Sequence, residues 1–325
     1  MAPRRPCARS RSAQEPVDEF GLIRRYFSRD AASPEVVVGV GDDGAILTPT
    51  PGLQQVQVID TLVEGVHFPS NMHAADVGYR VVAVNLSDIA AMGARPRWMT
   101  LALTLWDKDE QWVEEFATGL AAAADEHGVV LIGGDTTQGD VVVATVHVTG
   151  EVEEGRALLR SGAQVGDTVL VTGTLGDAAG GLAQFGDPAA NEFLAQRFLR
   201  PSARIGIGSI LAGRASAAID VSDGLLGDLR KLCEASGVGA EIDIGNLPLS
   251  PALQDCFGLD EAIELALTGG DDYELCCTAA PAEFAELADI EGITAIGVVT
   301  EGNDVVCRRD GNIVAIDDSG YRHFT

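Results

Sequence analysis

One pattern constrains this chain more than any other: short apolar, strand-like runs that end in glycine and aspartate. It recurs as Gly41-Asp42-Asp43, Ile59-Asp60-Thr61, Gly133-Gly134-Asp135-Thr136-Thr137, Asp220-Val221-Ser222-Asp223-Gly224 and Gly269-Gly270-Asp271-Asp272. A solitary Asp after a strand is ordinarily a turn residue or a helix cap. Five such endings, several with paired acids beside glycine, point further. Carboxylates gathered at strand ends repel one another unless cations sit among them. Magnesium takes one or two carboxylates per ion and completes its shell with water and substrate phosphates. Glycines beside the acids let backbone N–H groups approach phosphate closely. The constellation reads as a polymetal phosphate site.

The apolar runs alternate between strand and helix periods. Segments 35–40, 56–59, 98–105, 129–132 and 141–148 read as strands. A helix from about Ala74 carries Val77, Val81, Val84 and Ile89 near helical spacing and stops at Gly93. A second is capped by Asp107, with Glu110 three residues on, and buries Trp112, Phe116 and Leu120 before Gly128. The polar stretch 151–155 is the expected boundary between a domain over 19–153 and another over 154–325. Beyond it 167–172, 217–221 and 265–268 are strand-like, with a helix-rich region around Pro201. The expectation is a two-domain α/β (α+β) chain. Residues 1–18, rich in Arg, Ser and Pro, read as a flexible extension.

Composition removes several function classes. With 49 acidic against 22 basic residues the formal net charge is -27, so binding nucleic acid by phosphate neutralisation is disfavoured. Small phosphate ligands remain compatible, because bound divalent cations reverse the local field. No apolar run approaches the roughly 20 residues of a membrane span. The six cysteines form no CxxC pair and no secretory segment is evident, so a reducing cytoplasm is the expected setting.

Two familiar nucleotide motifs also fail. Gly39-Val40-Gly41-Asp42-Asp43-Gly44 matches GxGxxG after a strand, but Pro49 and Pro51 forbid the helix that should hold a pyrophosphate. Asp42 and Asp43 would also face that anion. The two lysines, Lys108 and Lys231, do not stand in a P-loop, and no protein-kinase motif set is present. If ATP is used, metals and arginines must manage its charge, with Arg160 a candidate. A binding or regulatory module would be served as well by solvated acidic runs, so acids placed beside glycines at strand ends favour chemistry.

The motifs GVGDDGAIL, DTLVEGVHF, AVNLSDIAAMGARP, LIGGDTTQGD, RSGAQVGDTVLVTGTLGDAAGGL, AIDVSDGL and LTGGDDYEL, in this order, resemble the thiamine-monophosphate kinases. The likeness runs from about residue 20 to the closing GYRHF. Aminoimidazole ribonucleotide synthetases, selenophosphate synthetases and hydrogenase-maturation dehydratases share the ATP-binding plan. AVNLSDIAAMGA and GGDDYEL favour the thiamine branch. The resemblance implies an N-terminal α/β domain that dimerises through its sheet, a C-terminal α/β domain, and ATP in the cleft between them. It implies direct in-line phosphoryl transfer from ATP to thiamine monophosphate, giving thiamine diphosphate, with several magnesium ions.

At matching positions, Asp43, Asp60, Asp88, Asp135, Asp220 and Asp223 correspond to magnesium ligands, and Ile59 to a backbone one. Gly134, Asp135, Arg160 and Ser222 correspond to ATP contacts. His67, Asp271 and Tyr321 fall at substrate positions. Two positions depart from the family pattern. Val58-Ile59 replaces a Ser/Thr pair, which removes a hydroxyl ligand, and Asp271 stands where the family usually has the longer Glu. No acid–base residue is required, because a phosphate monoester has a second pKa of about 6 and is mostly deprotonated near neutral pH. Repulsion between two polyanions opposes reaction, and metals with Arg160 would offset it.

Overall fold

The computed structural model describes residues 19–28, 33–106 and 110–316; the extension 1–18, the cap at Asp107 and the substrate position Tyr321 lie outside them. The N-terminal part begins with a short helix α1 (Glu19–Leu22) running into a π-helical turn, and a two-stranded ribbon of β1 (Val36–Val38) and β2 (Ile46–Leu47). Strands, not a helix, follow Gly44, as Pro49 and Pro51 require. The main sheet has the order β3-β6-β4-β5, from β3 (Leu53–Val63), β4 (Arg95–Leu105), β5 (Val130–Gln138) and β6 (Val143–Glu153). β4 and β5 pair in parallel, and the other pairs are antiparallel.

Helix α2 (Ala74–Ala91) and helix α3 (Glu110–His127) join this sheet in one apolar core. Their crossing is close enough to exclude a methyl group. A Cβ on Gly78 would lie 2.0 Å from the Phe116 carbonyl oxygen, and one on Gly119 would lie 1.8 Å from that of Ala75.

The second part is built on β7 (Thr168–Thr172), helices α4 (Asp177–Ala183), α5 (Glu192–Leu199) and α6 (Ile205–Leu211), β8 (Ala217–Val221) and α7 (Leu225–Ser236). β9 (Gly239–Asp243), α8 (Pro251–Phe257), α9 (Leu259–Thr268), β10 (Glu274–Ala279) and α10 (Pro281–Leu287) follow, then β11 (Ile293–Thr300), β12 (Val305–Arg309) and β13 (Asn312–Val314). Its sheet has the order β13-β12-β9-β11-β7-β10-β8 and a core of its own. A smaller apolar cluster, including Ala90, Ala91, Leu211 and Leu275, welds α2 to this domain. Fold class is therefore two-domain α/β, as expected.

Three boundaries differ from the sequence reading. The run 56–59 is the middle of a longer strand, so Asp60 sits inside β3, paired with Val146, rather than at its end. The strand continues because Asp60 shares its inward-facing side with Val56 and Leu62, while Ile59 and Thr61 face out. Likewise β5 runs on through 133–137 along the sheet edge. The segment 265–268 is the last turn of α9, not a strand. Ala262, Ile263, Ala266 and Leu267 are buried at helical spacing, and a four-residue apolar run does not distinguish the two periods.

The α2–α3 contact predicts that Gly119→Ala lowers the melting temperature by several degrees or abolishes folding, since overpacking against backbone costs about 1–3 kcal/mol or more. Gly206→Ala, where nothing lies within 4 Å of the new methyl, is the control that thermal denaturation should find near wild type.

Candidate active site between the two domains

Helix α2 is buried on nearly every side, so its polar residues need partners within the protein, and some of these lie across the domain junction. Ser87 Oγ donates to Asp220 Oδ2 at 2.9 Å. Arg80, 1% exposed, reaches Asp271 Oδ1 with Nη2 at 2.5 Å. Asp88 faces Asp60 closely enough for their carboxyls to share a hydrogen bond. Asp220 lies on β8, and the turn after it is held by Asp228 on α7, whose Oδ2 accepts from the backbone N–H of Ser222 and of Asp223, both at 2.9 Å.

These residues line a cavity of about 860 Å³ between the domains. It brings together Ile59, Asp60, His67, Asp88, Arg160, Asp220, Ser222, Asp223 and Asp271 from the sequence-derived set. A neighbouring cavity of about 530 Å³ shares Ile59, Asp88, Arg160 and Asp220 with it. His67 is oriented by its own loop, Nδ1 accepting from Val63 N–H at 3.0 Å.

Three expected residues are elsewhere. Asp43, Gly134 and Asp135 are not on the cavity lining. Asp135 is in register with Ala102 on β4, which pairs with Thr145, which pairs with Thr61. That row is the outward face of the sheet, opposite the face that carries Asp60. With strands about 4.8 Å apart, Asp135 is also about 14 Å across the sheet from β3.

Crowded carboxylates set the electrostatics. Asp60 is pushed up to about 6, first by burial and then by the charge of Asp220. Burial followed by the Asp60 charge raises Asp88 to about 7. Burial followed by the Asp88 charge raises Asp220 to about 8. Arg160 opposes the shift at both Asp88 and Asp220. Lys231 Nζ lies 2.6 Å from Asp223 Oδ2 and 2.8 Å from Asp228 Oδ1, so one of the two lysines lines the site after all. Among the described residues, no three acidic, His or Cys side chains converge tightly enough to enclose a metal ion unaided.

Sequence reasoning passed over Arg80, Asp228, Lys231 and Tyr273, all on the lining. Arg80 left one trace, a charge interrupting the apolar stripe of Val77, Val81 and Val84. Asp228 and Lys231 left another, an acid and a scarce lysine three residues apart on α7. Asp272, which shares a motif with Asp271, points away. It is fully buried, raised to about 7 by burial, and accepts from Gly176 N–H at 2.6 Å.

Residues 41–152 match the AIR synthase related protein, N-terminal domain, and residues 164–310 match the AIR synthase related protein, C-terminal domain. Over 94% of its length the chain is 45% identical to the thiamine-monophosphate kinase of Escherichia coli K12, of which it covers 98%. The chain belongs to the thiamine-monophosphate kinase family. The crystal structure of thiamine-monophosphate kinase from Stenotrophomonas maltophilia K279a is similar at 45% identity with a TM-score of 0.82, covering 92% of this chain and 98% of that one. AaThiL complexed with AMPPCP and TMP is 35% identical with a TM-score of 0.77, covering 94% and 97%. Both likenesses span the two domains and hence the cavity between them.

The raised carboxylates predict a pH effect on this family member in chelating buffer. The folded state holds the protons of Asp60, Asp88 and Asp220 more tightly than the unfolded chain does. Each proton therefore adds stability at low pH that is lost as pH rises from the ordinary carboxylate range through the folded values, about 6 to about 8. The melting temperature should fall from about pH 5 to about pH 8, and Asp220→Asn should flatten that fall. Equal slopes in the two proteins would contradict the assignment.

Proposed function

We propose that the chain transfers the γ-phosphoryl group of ATP directly to the phosphate of thiamine monophosphate, giving thiamine diphosphate and ADP. The observation that carries this reading is the convergence of Asp60, Asp88, Asp220 and Asp223, from both domains, in one cleft beside Arg160 and Lys231. The bound AMPPCP and TMP of the 35% identical relative support the same pairing of substrates.

Buried acids that raise one another's proton affinity fit hard divalent cations, and magnesium suits an all-oxygen set completed by substrate phosphates. Asp60, Asp88, Asp220 and Asp223 would hold it, and when bound it supplies neutralisation of phosphate charge. The protein's own groups position and screen. Arg160 and Lys231 offer fixed positive charge, and the Asp228 clamp holds the 222–223 turn still beneath the phosphates. His67, Phe68, Phe198, Asp271 and Tyr273 form the acceptor end, while Arg160, Ser222 and the adjoining cavity form the nucleotide end. No general base is needed, because the attacking phosphate oxygen is already deprotonated near neutral pH. Holding two polyanions in line is the main task of the protein.

The working unit is proposed to be a homodimer joined through the N-terminal sheet. Ile59 on the sheet's outer side, and Val66, Trp106 and Val141 in the loops at one end, are apolar yet exposed at 63%, 57%, 51% and 42%. A partner lying there would also give Gly134 and Asp135 a route into a site, which one chain alone denies them. The described cysteines are free, consistent with a cytoplasmic setting, and among the described residues no helix is long and apolar enough to cross a membrane.

An ATP-dependent assay should yield product from thiamine monophosphate and essentially none from free thiamine. Conversion of formylglycinamidine ribonucleotide instead would move the assignment to the sister enzymes. For the dimer, light scattering at micromolar concentration should give twice the chain mass. Asp60→Asn and Asp135→Asn should each lose activity by orders of magnitude. Co-expressed together they should regain up to about half per mixed dimer if each site draws on both copies. A monomeric mass, or no regain, would overturn that arrangement.

A further inference from the structure

The segment 269–273 that links α9 to β10 is two-sided. Asp272 and, one residue beyond Tyr273, Glu274 point into the C-terminal domain. Asp272 accepts from Gly176 N–H, and Glu274 accepts from Arg197 Nη2 at 2.8 Å and Thr172 Oγ1 at 2.6 Å. Asp271 and Tyr273 point the opposite way, into the cleft. Both adopt left-handed backbone, with φ of +72° and +51°, which non-glycine residues keep only when their surroundings hold them there. Their N–H groups are pinned to the end of β8, Asp271 to Ser222 O at 2.9 Å and Tyr273 to Val221 O at 2.8 Å.

What faces them from the other domain is Arg80. Its guanidinium lies 4.8 Å from the centre of the Phe198 ring and 5.6 Å from that of Tyr273, and Nη1 donates to the Phe198 carbonyl. Nη2 meets Asp271 Oδ1 at 2.5 Å, and the Tyr273 hydroxyl donates to the same oxygen at 3.1 Å. Neither contact engages Oδ2, and the Asp271 side chain remains 28% exposed. A cation this desolvated, held by a salt bridge, a carbonyl and two rings, leaves Asp271 little rotational freedom.

We infer that Arg80 is the positioning residue of the acceptor end: it fixes Asp271 so that Oδ2 accepts a hydrogen bond from an amino group on the acceptor's ring system. This rests on the acceptor proposed above, whose aminopyrimidine carries such a donor. The coupling crosses the domain junction, so the same contact that holds the domains together also sets the geometry of the acceptor end.

The test compares Arg80→Met, Arg80→Lys, Asp271→Asn and Tyr273→Phe in steady-state kinetics, thermal denaturation and AMPPCP binding by calorimetry. Arg80→Met should raise KM for thiamine monophosphate roughly tenfold or more, as expected for losing control of a charged hydrogen-bond partner. KM for ATP and AMPPCP affinity should change less than about threefold. The double variant Arg80→Met with Asp271→Asn should be no worse than the poorer single one, because both act through one carboxylate. Arg80→Lys, which keeps the charge, should fall between wild type and Arg80→Met. A purely structural ion pair would instead lower the melting temperature with both KM values unmoved, or raise both alike, and either result overturns the inference. If Arg80→Met does not fold, Arg80→Lys and Tyr273→Phe decide, and unchanged KM for thiamine monophosphate in both overturns it. Failure of the acceptor reading shows in the wild type, as AMPPCP binding without turnover of thiamine monophosphate. Failure of the Arg80 role shows only in the variants.

Discussion

The burial of α2 between the two domains is the constraint on which the rest of the structure depends. It touches α3 on one side with glycine-close backbone approach, and on another it meets α6, where a Cβ on Gly208 would lie 2.2 Å from the Ala90 carbonyl oxygen. A helix apolar almost all round must be buried all round. Its few polar side chains then have no water to turn to. Arg80 and Ser87 find partners across the junction, in Asp271 and Asp220, and Asp88 finds Asp60 on β3 of its own domain; those partnerships define the cleft. The site is a consequence of how the helix is packed.

The same burial stores electrostatic cost at the point of function. Asp60 arrives from β3, Asp88 from α2 and Asp220 from β8, each desolvated by its own packing and each raising a neighbour's proton affinity. No single element would bring these charges together, and the two cores hold them against their repulsion. Lys231 relieves Asp223 and Asp228 from outside, and Arg160 moderates Asp88 and Asp220. An acidic pocket with few cations of its own is suited to ligands that bring cations with them.

The acceptor end follows a different logic. There the charge is paired, the backbone is held in left-handed conformation, and aromatic rings flank the arginine. One end of the cavity is thus rigid and charge-paired, while at the other several buried carboxylates are only partly offset by Arg160 and Lys231.

Much of this was readable in the residues. Aspartates beside glycine and apolar runs are local features, set by what a strand or a turn tolerates, and they marked Asp60, Asp220, Asp223 and Asp271, while Asp88, inside a helix, was marked only by the family resemblance. The two-domain α/β plan and the helix over Ala74–Ala91 were legible for the same reason: hydrophobic period is a local signal. Which face an acid takes is not local. Asp135 sits in a motif as persuasive as that of Asp60, yet strand register turns it to the other side of the sheet and the far edge. Arg80 looked like an interruption of a helix stripe, because its partner is 191 residues away in sequence. Composition and period determined which elements form and which carry acid. Only packing two domains on one buried helix decided which of those acids meet, since the contacts that join them are long-range and leave no periodic trace.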